Sequence, residues 1–486
     1  MYSSDERAHI ETSSTADAKL GLQKTVGVGS VQHGSVAVAR SSQLQRRLGN
    51  RQIQLIAIGG SIGTAVFVSI GTGLARGRPV SLLLAYTLYS CMVGLVNNSI
   101  AEMATYMPVS GGFIRMAGRW VDEAFGFMVG WNFFLYEALM VPFEIAALNV
   151  VLKFWRDDIP AAAVVAVCIA LYGILNVGAV KWFGEAEFWH STGKIALFFI
   201  LFMFTFATIV GGNQQHDAYG FRYWSEPGPF AEYVTDGAPG KFQGLLGALW
   251  IAAFTIVGPE YVSMVAGEAK LPRVYLKNAS KTTYVRFGMF FILSAVCVGV
   301  VVPYNDPALV AIVTGASEAA GTASASPYVI AMANMGIGVL PHVTNALLVS
   351  SIFSAGNALA YYATRSLFLF KCTSFGLPIY CLAIVMLFSF LAFLGISNNS
   401  VVVLPGKFTV QDLFTYYTMV LVAPITFFGW KIAKGTKFVK ASEARLDWEK
   451  PEIDAYEAAF EEVPVGFWTE IIRMFGFKRA RQSVGA

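Results

Sequence analysis

The strongest constraint on this chain is a succession of apolar runs, each about 20 residues long or longer. A helix rises about 1.5 Å per residue, so about 20 apolar residues cross the ~30 Å hydrocarbon layer of a bilayer. Ten stretches qualify, near residues 53–76, 81–106, 125–152, 161–180, 187–210, 244–267, 284–303, 342–364, 377–396 and 412–432. Lipid offers no partner for backbone amides, so each run must close its hydrogen bonds internally as a helix. The runs are too long and too uniformly apolar for barrel strands. Composition agrees, with 55% hydrophobic and only 14% charged residues, where a soluble domain carries about 25% charged. The expected fold class is an all-α polytopic membrane protein. Its membrane domain covers 46–435, between a polar, disordered N-terminal tail (1–45) and a C-terminal tail (436–486). The net charge of +4 is too small to suggest a nucleic-acid partner.

Lysine and arginine placement sets the orientation. Arg40, Arg46, Arg47 and Arg51 precede the first run, and Arg115 and Arg119 follow the second. Lys270, Arg273, Lys277, Lys281 and Arg286 follow the sixth, Arg365 and Lys371 the eighth, and Lys431, Lys434, Lys437 and Lys440 the last. Alternate loops are therefore basic, which places both termini in the cytoplasm. Arg76 and Arg78 run against the pattern. Among the long outer loops, Pro327 to Leu340 is expected as a short interfacial helix. The five cysteines show no CxxC spacing and read as packing thiols.

Two runs carry helix-breaking residues at mid-depth. The first reads Gly59-Gly60-Ser61-Ile62-Gly63-Thr64, and the sixth reads Phe254-Thr255-Ile256-Val257-Gly258-Pro259-Glu260. Glycine is costly in a helix interior, and proline removes a backbone hydrogen bond. An opened helix presents amides at one end, suited to a carboxylate, and carbonyls at the other, suited to an ammonium. An amino acid carries both groups. Breaks five spans apart are the spacing expected of two inverted five-helix repeats around a binding site. The competing explanation is that these glycines only let helices pack closely. The substrate-binding candidates are thus Gly59, Gly60, Ser61, Ile62, Gly63, Thr64, Phe254, Thr255, Ile256, Val257 and Gly258.

Charges inside membrane helices default to functional hypotheses. The candidates are Glu102, Glu137 and Glu144 (seven apart, on one helical face), Lys194, Glu260 and Glu268. Lys194 is read as a proton-coupling amine, or else as a lysine snorkelling to the interface from about two turns inside its span. Glu144 is either a proton carrier or a structural tether. Glu102 and Glu260 are assigned structural or gating roles. His190 has no second ligand nearby. No metal cluster, phosphate loop or nucleophile–histidine set supports a cofactor or an enzyme.

Several motifs together resemble the fungal amino acid permeases of the amino acid–polyamine–organocation superfamily. They are Leu44–Leu48 with Gln54–Thr64, Ala101-Glu102-Met103 with Pro108–Phe113, Gly130-Trp131-Asn132 and Pro142-Phe143-Glu144. Further on come Phe183–Trp189, Gly267-Glu268-Ala269, Val302–Asp306 and Phe353-Ser354-Ala355-Gly356-Asn357. The resemblance implies a broken-helix inverted-repeat (5+5) transporter fold and proton-coupled amino acid uptake across the plasma membrane. It also implies that Lys194 stands where related proton-coupled carriers place a lysine in lieu of sodium. Gly258–Ser263 looks most like the dicarboxylic (glutamate/aspartate) branch. Two departures stand out. Ala65 replaces a motif glycine, and the family's spans ten and eleven are missing between Ile396 and the last run. The latter raises the alternative of a non-transporting amino acid sensor or a truncated, inactive relative.

Overall fold

A computed structural model describes residues 46–177, 180–226, 228–233, 235–314, 326–368, 410–440, 442–459 and 464–474. The described residues are helical throughout, apart from loops and one parallel bridge that pairs Leu48 with Ala269. The expected tail 1–45, the expected span 377–396 and the stretch from which spans ten and eleven were inferred missing all lie outside the described residues.

The first run forms α1 (Asn50–Ser61), is non-helical at Ile62 and Gly63, and resumes through a π-turn (Ala65–Ser69) into α2 (Ile70–Tyr106). At Arg78 (φ 63°, ψ 174°), just before Pro79, α2 is sharply kinked, which separates the first run from the second. The short α3 (Gly112–Trp120) precedes α4 (Glu123–Leu152), α5 (Ala161–Val177) and α6 (Val180–Ile209). The sixth run divides into α7 (Gly237–Thr255) and α8 (Pro259–Met264). Next come α9 (Pro272–Arg286), a π-turn, and α10 (Leu293–Val301). The basic stretch expected as a loop after the sixth run is thus helix, continuous with the seventh. Arg273, Lys277 and Lys281 recur at i, i+4 and i+8 and so share one face of that helix. The chain continues with α11 (Pro307–Thr314), α12 (Pro327–Asn334), α13 (Leu340–Phe368) and α14 (Val410–Lys434). The tail forms α15 (Lys450–Ala458) and α16 (Phe467–Met474). The expected interfacial helix stops at Asn334, because Gly336 takes a left-handed turn (φ 70°) and Leu340 opens the next helix.

Six described helical stretches are long and apolar enough to cross a membrane: Ala65–Tyr106, Glu123–Leu152, Trp182–Ile209, Gly237–Glu268, Pro272–Val301 and Leu340–Leu367. They pack as a bundle in which α7 lies along α2, α13 and α14 lie along α4, and α1 and α13 both lie on α6. Large side chains such as Leu88, Leu95, Ile174, Phe199 and Trp250 point outward, more than half exposed, as suits a lipid-facing surface. Cys168 and Cys297 are buried packing thiols, whereas Cys91 faces outward. The two arginines that broke the charge pattern are held by aromatic side chains. Arg78 lies 4.3 Å from the Tyr304 ring centroid and donates to its hydroxyl (2.9 Å), and Arg76 lies 5.6 Å from the Tyr233 ring.

The tail is not merely solvated. Ile453 is buried against Met107, Val109 and Met116. Arg115 pairs with Glu449, and its guanidinium covers the Trp448 ring at 4.6 Å. Arg273 reaches Asp454 (2.6 Å) and Glu457 (3.2 Å), and Arg51 takes the Glu470 carboxylate on its backbone amide (2.9 Å). At the start of α4, Asp122 caps the helix by accepting from the Ala124 amide (2.8 Å), and it also accepts from Lys431 and from Thr436 (2.7 Å). Burial works to raise the Asp122 pKa. The Lys431 and Thr436 hydrogen bonds, the Ala124 amide and the Lys431 charge outweigh it and hold the carboxyl below its usual value of 3.8.

Candidate functional site

Both interruptions have the same form. Ile62 closes α1 in an extended conformation (φ −120°, ψ 98°), and Ile256 closes α7 in nearly the same one (φ −95°, ψ 98°). Beyond each, a new helix begins. Gly258 has φ 141°, a value that strongly favours glycine, and Pro259 sits at the first helical position, where its missing amide costs nothing. The two breaks face each other, since a Cβ added at Gly258 would lie 3.2 Å from the Ser61 Cβ.

The glycines divide between the two roles considered from sequence. Gly59 and Gly60 remain helical and allow close packing. A Cβ at Gly60 would lie 2.9 Å from the Tyr362 ring and 3.1 Å from the Tyr261 ring, and these rings stack with centroids 4.4 Å apart. A Cβ at Gly59 would overlap a Glu187 carboxylate oxygen. Only Gly63, with Ile62, belongs to the unwound segment.

The open ends of the first break are both occupied by charge. Lys194 donates its ammonium to the Gly59 carbonyl at 2.6 Å, in the last turn of α1. Glu144 accepts from the Thr64 hydroxyl (2.6 Å) and from the Thr64 amide (3.3 Å to each oxygen), at the start of the resumed helix. A cation thus sits on the carbonyl end and a carboxylate on the amide end, as the helix dipole favours. Ser61 satisfies two further carbonyls, those of Ala57 (2.8 Å) and Ile58 (3.2 Å). Lys194 is fully buried. The snorkelling alternative fails because α6 begins at Val180, which places Lys194 halfway along the helix rather than two turns in.

Glu187 was missed for the same reason. It lies seven residues before Lys194 on the same face of α6 and is fully buried. It accepts from Ser354 Oγ (2.8 Å) and Asn357 Nδ2 (3.1 Å), both from α13, while Asn357 Oδ1 accepts from Asn176 (2.8 Å). The overlooked signal was the pairing of this acidic residue with the polar Ser354 and Asn357, one helical turn apart, in the eighth run.

At the second break, Thr255 returns its hydroxyl to the Ile251 carbonyl (2.7 Å) and receives Tyr86 Oη (3.1 Å). Glu260, in the first turn of α8, accepts from the Gly258 amide just before that helix (3.1 Å). Phe254 packs edge-on against Phe143 (5.5 Å). Gly63, Phe254, Val257 and Glu260 are only half-buried among otherwise buried neighbours. Glu137 is buried with neither carboxylate oxygen hydrogen-bonded among the described residues. Glu102 lies elsewhere, exposed near the end of α2. Glu268 ties the near ends of three helices. It bonds Arg365 (2.7 Å) and Tyr361, and its own carbonyl accepts from the Leu48 amide (2.9 Å).

Residues 52–374 match the amino acid permease family. The general amino acid permease AGP2 of Saccharomyces cerevisiae is 44% identical over 75% of this chain and 63% of its own length. A proline-specific permease of Emericella nidulans is 38% identical over 67% and 59%, and the dicarboxylic amino acid permease of S. cerevisiae 35% over 74% and 61%. The chain therefore spans about three fifths of the length of these relatives. A solved Na⁺-coupled sialic acid symporter superposes with a TM-score of 0.49 at 12% identity over 79% of each chain, a likeness too weak to bear on the fold.

Proposed function

The chain belongs to the amino acid permease family, among permeases rather than enzymes, and from that premise we propose that it imports amino acids across the plasma membrane by proton symport, with both termini cytoplasmic. The repeats would be two inverted sets of five helices, with the substrate between the breaks in α1 and α7–α8. The observation that carries this reading is the placement of Lys194 and Glu144 on opposite ends of one broken helix.

The chemistry follows from that placement. A substrate α-carboxylate is suited to the Thr64 amide, which Glu144 now holds. A proton on Glu144 removes its charge and weakens its hold on that amide, so proton binding and substrate binding favour each other. The α-ammonium is suited to the carbonyls that end α7. Lys194 fixes the carbonyl end of α1 with a resident cation, where a metal ion would otherwise serve. Release to the opposite face requires the Leu48–Ala269 bridge and the Glu268–Arg365 pair to part.

Side-chain preference is a finer matter. The motif Gly258–Ser263 supports a dicarboxylic substrate. The charges nearest the breaks argue the other way. Glu137, Glu144, Glu187 and Glu260 stand against one lysine, and that lysine is already docked on Gly59. Among the described residues no lysine remains free beside the breaks for a second substrate carboxylate, which supports a neutral or cationic side chain.

Uptake of labelled L-proline, L-arginine and L-glutamate into cells lacking their own permeases tests the proposal. Accumulation that collapses with a protonophore is the expected result. Binding without accumulation by correctly localised protein would instead establish the sensor reading.

A further inference from the structure

A groove of about 560 Å³ lies on the outside of the bundle, away from the helix breaks. Each wall is one helical face: Asn98, Glu102 and Tyr106 from α2, and Lys277, Lys281 and Tyr284 from α9. The two helices are joined along its floor. Asn97 donates to the Ser280 carbonyl (3.3 Å), and Tyr284 donates to the Gly94 carbonyl (3.1 Å) and to the Asn98 side-chain oxygen. The groove is thus a built recess rather than a packing gap. Lys450, at the start of α15, also lines it, with its ammonium 5.2 Å from the Tyr106 ring centroid.

The charges lining the recess are unequal. Arg273 is engaged by Asp454 and Glu457. Lys277 and Lys281 are exposed and have no ion-pair partner among the described residues. Glu102 is the one carboxylate among the lining residues. Along the same helices toward mid-membrane, the next outward side chains are apolar. Leu95 is 71% and Val96 50% exposed on α2, and Val285 is 65% exposed at the end of α9. Cations at the end of a spanning helix pair, continuous with a lipid-facing apolar wall, match an amphiphile with an anionic head. A soluble phosphate would use the lysines but not the wall. The single carboxylate opposite them suits an ammonium in the same headgroup.

We propose that this groove binds an anionic glycerophospholipid whose headgroup also carries an ammonium, namely phosphatidylserine. Lys277 and Lys281 take the phosphate and carboxylate, Glu102 takes the ammonium, and the acyl chains lie along Leu95, Val96 and Val285. Lys450 brings the tail helix to the same headgroup, so the bound lipid links α2, α9 and α15.

The test uses the full chain in nanodiscs of phosphatidylcholine containing about 20% phosphatidylserine or phosphatidylglycerol, with retained lipid read by native mass spectrometry. Two interfacial lysines should favour the anionic lipid by about 30-fold over phosphatidylcholine. Lys277→Gln with Lys281→Gln should abolish that preference, while Lys437→Gln, an exposed tail change outside the groove, should leave it intact. Glu102→Gln should retain the anionic preference and lose the discrimination of phosphatidylserine from phosphatidylglycerol. Unchanged retention in the double lysine variant overturns the proposal. So does displacement of the lipid by glycerophosphoserine or inorganic phosphate alone, which would mark a soluble-anion site.

Discussion

Lys194→Met isolates what the buried cation does, because methionine keeps most of the stem and removes the charge. The lysine donates at 2.6 Å to Gly59, whose carbonyl lies in the last turn of α1, where a helix supplies no donor of its own. A hydrogen bond to a charged group contributes about 1.5–3 kcal/mol. Removing one member of a buried charged set costs about 3–5 kcal/mol, because its partners are left uncompensated. Here those partners are Glu187, which also meets α1 at Gly59, and Glu144 at Thr64. Taking about 3 kcal/mol as the lower bound, the docked arrangement loses about a hundredfold in population, at about 1.4 kcal/mol per decade. The assay has two arms: the melting temperature of the detergent-solubilised chain, and initial uptake rate against external pH. The variant should melt lower, transport about a hundredfold more slowly and lose its dependence on the proton gradient. Adding Glu187→Gln should restore the melting temperature without restoring coupling. A Lys194→Met protein with wild-type uptake and unaltered pH response would show that the buried cation has no part in coupling.

Asp122→Ala removes a helix cap worth about 1 kcal/mol and a buried, charge-assisted tie to Lys431 worth about 1.5–3 kcal/mol, so stability should fall by about 3 kcal/mol. Because the folded Asp122 pKa lies below 3.8, its contribution is complete above that value and is lost as pH falls through the folded pKa. Melting curves of wild type and Asp122→Asn should therefore run parallel from pH 7 to 5 and converge only below pH 3.8. Gly258→Ala forces an L-residue to φ 141° with its Cβ 3.2 Å from Ser61, a strain of about 1–3 kcal/mol. Surface expression should persist while uptake drops, and normal uptake would show that the bend at Gly258 is dispensable. Trp448→Ala removes the ring beneath Arg115 (4.6 Å) and Arg119 (5.4 Å), about 1–2 kcal/mol at a partly exposed site. Hydrogen exchange across α15 should then accelerate about tenfold, whereas unchanged exchange would mean the tail is held without it.

The helix breaks were legible because they rest on local rules. Gly63 tolerates unwinding, and Gly258-Pro259 both stops one helix and starts the next. Gly59 and Gly60 look the same in sequence but stay helical. Gly59 is closed in by the Glu187 carboxylate and Gly60 by the Tyr362 and Tyr261 rings, contacts made by residues far away in sequence. Glu187 stayed hidden because Lys181 and Glu185 made the start of α6 look like loop. The helix carries Glu185 because Arg51 pairs with it and Gln52 donates to it at 3.2 Å. Amphipathicity of the tail was visible, but its attachment through Arg115, Arg273 and Asn50, whose side chain donates to the Val465 carbonyl (3.0 Å), follows from tertiary placement alone.

In the proposed mechanism the interrupted α1 and α7–α8 hold the substrate by its backbone groups, with Glu144 yielding the Thr64 amide to it. A cryo-electron microscopy map of the full chain in nanodiscs, saturated with the amino acid that the uptake panel selects, tests this directly. The expected result is density within hydrogen-bond distance of the Thr64 amide and the Ile256–Gly258 segment, Glu144 displaced from Thr64, and Lys194 still on the Gly59 carbonyl. Substrate density elsewhere, with Glu144 unmoved, would contradict it.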